Sequence, residues 1–238
     1  MKKKQPQIGI TQCLAVLACA GLGGLLFQAG CQFIGMPALI GTPTSDETKT
    51  PAEYNLTPQK GQKGQKILVF VDVPFYFNAH PNLRFFLTDT INKMLQQKAK
   101  IAPALLIDYD TLAEFRSNTP DFSLLSPERV GSALGADLVL FVVVSDYKLS
   151  GMGDTGYLNV SLDVQASLIK VSTGEKVWPP VEPAKIVRVG FEAERHGDDV
   201  AAVRLAAATA HCVTRYLYDC PKNQFKISEE KTDIGWEK

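Results

Sequence analysis

The sequence predicts an α/β fold: a single two- to three-layer sandwich around a mixed β-sheet, in the order β-α-β-α-α-β-β-β-β-α. Three observations predict it. Aliphatic runs at 66–73, 104–108 and 137–144 alternate with segments of helical periodicity, as in a sheet covered on both faces. Residues 157–168 alternate apolar and polar without a break, as in a strand with one wet face. Ser172, Thr173, Gly174 and Glu175 then form a turn signature leading into Lys176, Val177 and Trp178, which predicts a hairpin.

Each element follows from its residues. KILVFVDV at 66–73 is a buried strand ended by Pro74. Over 81–98, Leu83, Phe86, Leu87, Ile91, Met94 and Leu95 recur at spacings that put them on one helical face. ALLID at 104–108 is a second short strand, and 109–115 a short helix with Asp108 or Asp110 as cap. Ser126, Pro127 and Glu128 open the next helix: Ser caps, the missing Pro N–H costs nothing there, and Glu meets the positive end. That helix runs to Leu134 and stops at Gly135. DLVLFVVV at 137–144 belongs mid-sheet, with Leu138, Leu140 and Val142 on one face and Val139, Phe141 and Val143 on the other. Full burial of Phe141 would make Phe141→Ala cost ~3–5 kcal/mol. After the hairpin come a strand at 186–193 and an Ala-rich helix from Asp198 and Asp199 to about Tyr218. Pro221 and a charged tail end the domain.

The chain has 238 residues, with 25 Lys+Arg against 25 Asp+Glu, 45% hydrophobic and 21% charged residues. This excludes a wholly disordered chain, a collagen-like repeat and a multi-span membrane protein. A neutral balance argues against a nucleic-acid partner. Lys2, Lys3 and Lys4 precede an apolar stretch at 14–27, which is short of the ~18–20 residues of a membrane span and has the proportions of a secretory leader. Gln28, Ala29 and Gly30 then lead to Cys31. This segment resembles a bacterial lipoprotein signal with its lipobox, with Gln28 standing where an aliphatic residue is usual. The resemblance implies cleavage before Cys31 and a diacylglycerol on its thiol, making the membrane the first expected partner. Cleavage after Ala18, Cys19 and Ala20 is an alternative that leaves an apolar tail; an uncleaved anchor is another. All three place the remainder outside the cytoplasm. Removal of the three leader lysines leaves a net charge of −3, so charge alone draws the mature chain to neither anionic lipid nor nucleic acid.

The expected organisation is therefore a signal peptide at 1–30, lipid attachment and a flexible tether at 31–65, the α/β domain at 66–221 and a polar tail at 222–238. Within the tether, 42–65 holds Pro43, Pro51 and Pro58 among polar residues and lacks a core-forming pattern. Its piece Pro51, Ala52, Glu53 and Tyr54 is suited to dock on the domain as an extended segment.

Candidate chemistry is sparse. His80, His196 and His211 lack metal-ligand spacing, and the cysteines form no C-x-x-C pair, so no metal, cofactor or catalytic residue is expected. Cys212 and Cys220, eight residues apart on one continuous helix, would lie about 12 Å apart, beyond the ~7 Å limit of a disulfide. His211 beside Cys212 points about 100° away from it, too far to activate a thiol. Asp198 and Asp199 read as a helix cap rather than metal ligands, and Gly151, Gly153 and Gly156 as a hairpin loop rather than a phosphate loop. Phe75, Tyr76 and Phe77 stand out. Three consecutive aromatics are too many for one buried face, so they form either a plug at the core's edge or a protein contact.

The helix ending Leu134, Gly135, Ala136 and Asp137, the hydrophobic strand after it, and the turn Thr173, Gly174, Glu175 leading to Val177 and Trp178 resemble a group of bacterial envelope lipoprotein domains. They are the penicillin-binding-protein activator lipoprotein, the curli-secretion channel lipoprotein and the amino-terminal domain of the Tol-system protein B. The resemblance covers roughly residues 66–218 and lies in turns and core. It implies a lipid-anchored, periplasm-facing envelope protein, at the outer rather than the inner membrane, that binds another envelope protein or helps assemble a complex without catalysis. The alternatives are a component of a secretion or transport channel, or an enzyme with no recognisable site.

Overall fold

The expected mixed sheet forms in the computed structural model, which describes residues 49–61, 64–77, 79–151, 156–194 and 198–225. The leader, Cys31 with its lipobox, His196 and the tail at 226–238 lie outside the described residues. In chain order the elements are β1 (Lys49–Thr50), β2 (Ile67–Asp72), α1 (Leu83–Gln97), β3 (Leu106–Ile107), α2 (Tyr109–Asn118), α3 (Pro127–Ala133), β4 (Leu138–Gly151), β5 (Tyr157–Lys170), β6 (Glu175–Trp178), β7 (Lys185–Glu194), α4 (Asp198–Thr214), β8 (Cys220–Pro221) and α5 (Lys222–Phe225). The main sheet runs β3-β2-β4-β5-β6, with β7 also on β5. β2 is parallel to β3 and β4, and the remaining pairs are antiparallel.

Alternation along β2 divides the molecule into layers. Ile67, Val69 and Val71 face a core shared with Leu83, Leu87, Ile91 and Leu95 of α1 and with α4. Leu68 and Phe70 face a second, smaller core with Leu112 of α2 and Val130 of α3. The fold is thus a three-layer sandwich, within the expected architecture. β4 sits centrally, but its two faces differ. Leu138, Leu140, Val142 and Val144 are fully buried under the long helices. Phe141 and Val143 are only half-buried, because α2 and α3 are short and cover no more than the start of β4. Equal burial of both faces, expected from the sequence, is corrected to that extent. Gly131 lets α3 come so close: a Cβ there would meet Val139 Cγ2 at 2.5 Å and Val171 Cγ2 at 2.8 Å.

Other expectations are refined. The strand at 104–108 shrinks to Leu106–Ile107, because Pro103 begins a 3₁₀ turn before it. Asp108 is the cap of α2, its Oδ1 accepting the Thr111 N–H at 2.7 Å; the Thr111 side chain and this backbone bond together hold its carboxyl below the usual range. Ser126 takes the extended N-cap backbone of α3, but its hydroxyl donates to the Glu128 carboxylate instead of capping. Gly135 ends that helix at φ 68°, as expected. β4 runs seven residues past Val144, continuing beyond the end of β2 as a ribbon with β5. β6 and β7 lie end to end along one edge of β5, separated by an excursion at 179–184.

α4 ends at Thr214 rather than near Tyr218. Cys220 therefore leaves the helix and pairs with Thr50 in a two-stranded sheet. Cys212 and Cys220 are buried thiols that are not joined to each other, although the continuous helix assumed for them is not there. The part of the expected tether at 49–61 also needs correction, while 31–48 lies outside the described residues. Glu53 and Tyr54 donate their N–H groups to Tyr216 O at 2.9 and 3.2 Å, and Leu56 to Leu217 O at 2.9 Å. Leu56 is buried in the main core. Composition at 42–65 lacks a pattern of its own, yet the chain after α4 offers open carbonyls for an extended arm. Glu53 completes the latch, accepting from the buried Trp178 Nε1 at 2.8 Å and from Lys185 Nζ at 2.9 Å. Burial opposes the Lys185 charge, but Glu53, Tyr216 and Glu182 more than offset this and hold its ammonium above the ordinary range.

Candidate functional site

β2 ends at Asp72, and the chain must turn sharply because Pro74 removes the next ladder donor. The Phe77 N–H donates to Pro74 O at 3.2 Å, closing a turn with Phe75 and Tyr76 at its tip. The base of this turn is pinned from two helices. Arg84 Nη2 of α1 donates to Val73 O at 2.6 Å. His80 stacks on Phe86 at 5.6 Å, and its Nδ1 accepts the Asn82 N–H at 3.2 Å. With Nδ1 an acceptor, Nε2 carries the proton and meets Asp199 Oδ1 at 2.6 Å, tying the loop to the first turn of α4.

The tip is not pinned. Phe75 is 97% exposed and Tyr76 69% exposed, while Phe77 is half-buried and packs on the main core. The three rings form a short cluster, edge to face between Phe75 and Tyr76 with centroids 5.8 Å apart and tilted between Tyr76 and Phe77 at 4.7 Å. The two sequence readings thus divide by residue: Phe77 is the plug, and Phe75 and Tyr76 are the free surface. Phe85, exposed on the first turn of α1 and 5.4 Å from Tyr109, adds apolar surface at the same end of the sheet. Its place on the helix face beside Phe86 was the available signal, and the sequence reading passed over it. This end lies outside the carboxyl ends of parallel strands β2 and β3, where open α/β sheets bind their ligands.

The other candidates behave differently. His211 and Cys212 are buried, and His211 Nε2 donates to Gln224 O at 3.1 Å. Burial pushes the His211 imidazole down to about 4, so it is neutral at physiological pH. Burial raises the Cys220 thiol and the Tyr218 hydroxyl, disfavouring their reactive ionised forms. No group of three or more His, Cys, Asp or Glu is placed to hold a metal among the described residues. A cleft of about 380 Å³ lies where the docked arm meets the start of β2, with Asn55, Thr57, Gln65, Ile67, Ile101 and Leu105 in its wall. Its wall carries no titratable side chain among the described residues. Among those residues no helix is long and apolar enough to cross a membrane.

No family model matches the sequence, and no curated protein matches it. Solved structures similar to the chain include bacterial lipoproteins. The lipoprotein GNA1162 of Neisseria meningitidis is 16% identical, with 60% of this chain and 94% of that one covered at a TM-score of 0.40. The PelC dodecamer of Paraburkholderia phytofirmans is 15% identical over 65% and 89%, at 0.38. The LpoB C-terminal domain of Salmonella enterica is 19% identical over 57% and 87%, at 0.29. Likenesses at these scores carry no argument about partner, activity or family.

Proposed function

We propose that this chain is a lipid-anchored, non-catalytic protein of the bacterial envelope that docks another envelope protein through Phe75 and Tyr76, with Phe77 as the base of the contact. One observation carries the reading: two adjacent aromatic side chains stand in solvent at the tip of a turn whose base is held by Arg84 and His80. Exposed aromatics on a rigid support are the residues that dominate protein interfaces, since burying them costs little conformational entropy. Each such ring contributes about 1.5–3 kcal/mol when fully covered. The lipobox-like segment ending in Cys31 supports the anchor.

A photo-crosslinking residue at Tyr76, installed in cells, tests the reading. The expected result is an adduct with one envelope protein, absent when the same residue is placed at Val181, which is also exposed but lies in the excursion between β6 and β7. Phe75→Ser should abolish that adduct. Identical adducts from both positions, or none from Tyr76, would refute the docking role.

A further inference from the structure

β7 is the outer strand of the long antiparallel ribbon, with β5 as its one strand neighbour among the described residues. Exposed edges are usually blunted by a bulge, a proline, a very short length or charged side chains. β7 has none of the first three, and the charges on its wet face, Arg188 and Glu192, are opposite in sign. Its ten residues pair with β5 in unbroken register from Ala166↔Lys185 to Tyr157↔Glu194, whereas the β4–β5 and β5–β6 pairings both shift. The edge therefore presents regular unpaired backbone donors and acceptors.

We propose that this edge pairs antiparallel with the same edge of a second copy of the chain, about a two-fold axis at Gly190. This goes beyond the aromatic docking site and does not rest on it. The charges on the wet face carry the choice of occupant. That face of β7 presents Ile186, Arg188, Gly190 and Glu192 in alternation. Residues whose backbone groups point outward meet only their like-parity counterparts. Centring on Gly190 sets Arg188 opposite Glu192 of the second copy, twice over, in directly opposed cross-strand pairs. Sliding the partner by two residues sets either Arg188 or Glu192 against Gly190. One of these slides still matches Arg188 with Glu194, but over a shorter overlap. Sliding by four faces Arg188 with Arg188, or Glu192 with Glu192. Arg188 is exposed, and its contact with Asp163 on β5, at 3.4 Å, uses Nε. Its Nη groups can take a second carboxylate. On the other face the same register sets buried Val189 against half-buried Phe191, extending the apolar row beneath α4.

The test is the mass of the purified full-length chain in detergent micelles, by light scattering corrected for detergent. Wild type is expected at twice the monomer mass; any other mass overturns the proposal. Arg188→Glu and Glu192→Arg should each fall to the monomer mass, since each sets like charges against one another. Mixed in equal amounts, the two variants should return to the doubled mass, because each then supplies the opposite charges to the other. The double variant Arg188→Glu/Glu192→Arg should do the same alone. Single variants that stay doubled overturn the proposal. So does a mixture that stays monomeric while both variants give the wild-type circular dichroism spectrum. Because Arg188→Glu, alone or in the double variant, also sets a second acid beside Asp163, the Glu192→Arg chain against wild type carries the test if that substitution prevents folding.

Discussion

At the scale of single residues, burial fixes the state of His211 and one neighbour satisfies Trp178. His211 is held neutral, taking up its proton near pH 4 in the folded chain and near pH 6.5 in the unfolded one. Between those values the unfolded state binds more protons, so stability falls as pH falls. The contribution is complete above about pH 6.5, and about 3 kcal/mol of it is gone by pH 4. Urea unfolding of wild type and His211→Gln should show this directly. The advantage of wild type should shrink by about 2–3 kcal/mol from pH 7.5 to 4.5. Parallel pH curves for the two chains would show that burial does not control this imidazole. Trp178 depends on Glu53 in a simpler way. Glu53→Ala strands the buried indole N–H and should cost about 1–3 kcal/mol in the same assay, while Glu53→Gln keeps an acceptor and should cost less. Equal losses would place the effect on the Lys185 ion pair instead.

At the scale of elements, β4 and the docked arm make the sharpest predictions. Leu140 is fully buried between β4 and the long helices, so Leu140→Ala should destabilise by about 2–5 kcal/mol. Phe141 is half-buried beside Phe70, at 5.2 Å, so Phe141→Ala should cost about 1–2 kcal/mol, below the full-burial range. A larger loss at Phe141 than at Leu140 would mean that the second core matters as much as the first. Limited proteolysis should leave the arm attached, giving a resistant fragment that begins before Lys49. A fragment beginning near Lys66 would show that the arm's bonds do not hold it. The strands and helices with strong periodicity, α1 and β5 above all, were legible because burial repeats along their own sequence. The arm was only half legible: Pro51 to Tyr54 suggested extension, but its partners are carbonyls at Tyr216 and Leu217, far away in the chain. The half-burial of Phe141 was not legible, since it depends on how far α2 and α3 reach rather than on β4 itself. The aromatic trio was legible as a surplus, while its division into one plug and two exposed rings depends on the turn closed between Pro74 and Phe77.

At the scale of the whole domain, the arm and the aromatic turn lie at opposite ends of α4. The arm bonds to Tyr216 and Leu217 just past its C-terminus, and the turn is tied through His80 to Asp199 in its first turn. The 17 residues of α4 set these ends about 25 Å apart at 1.5 Å per residue. The 18 residues from Cys31 to Lys49 limit the reach to about 60 Å when fully extended. Anchor and contact should therefore separate by mutation. Cys31→Ala should lose metabolic lipid labelling and the membrane fraction while leaving the fold intact. Phe75→Ser should keep the label and lose the Tyr76 adduct. Deleting residues 36–45 should keep the label yet weaken the adduct, because about 35 Å of reach goes with them. Equal lipid labelling of wild type and Cys31→Ala would remove the anchor from this scheme. An undiminished adduct in the deletion would place the partner within the shorter reach, close to the membrane surface.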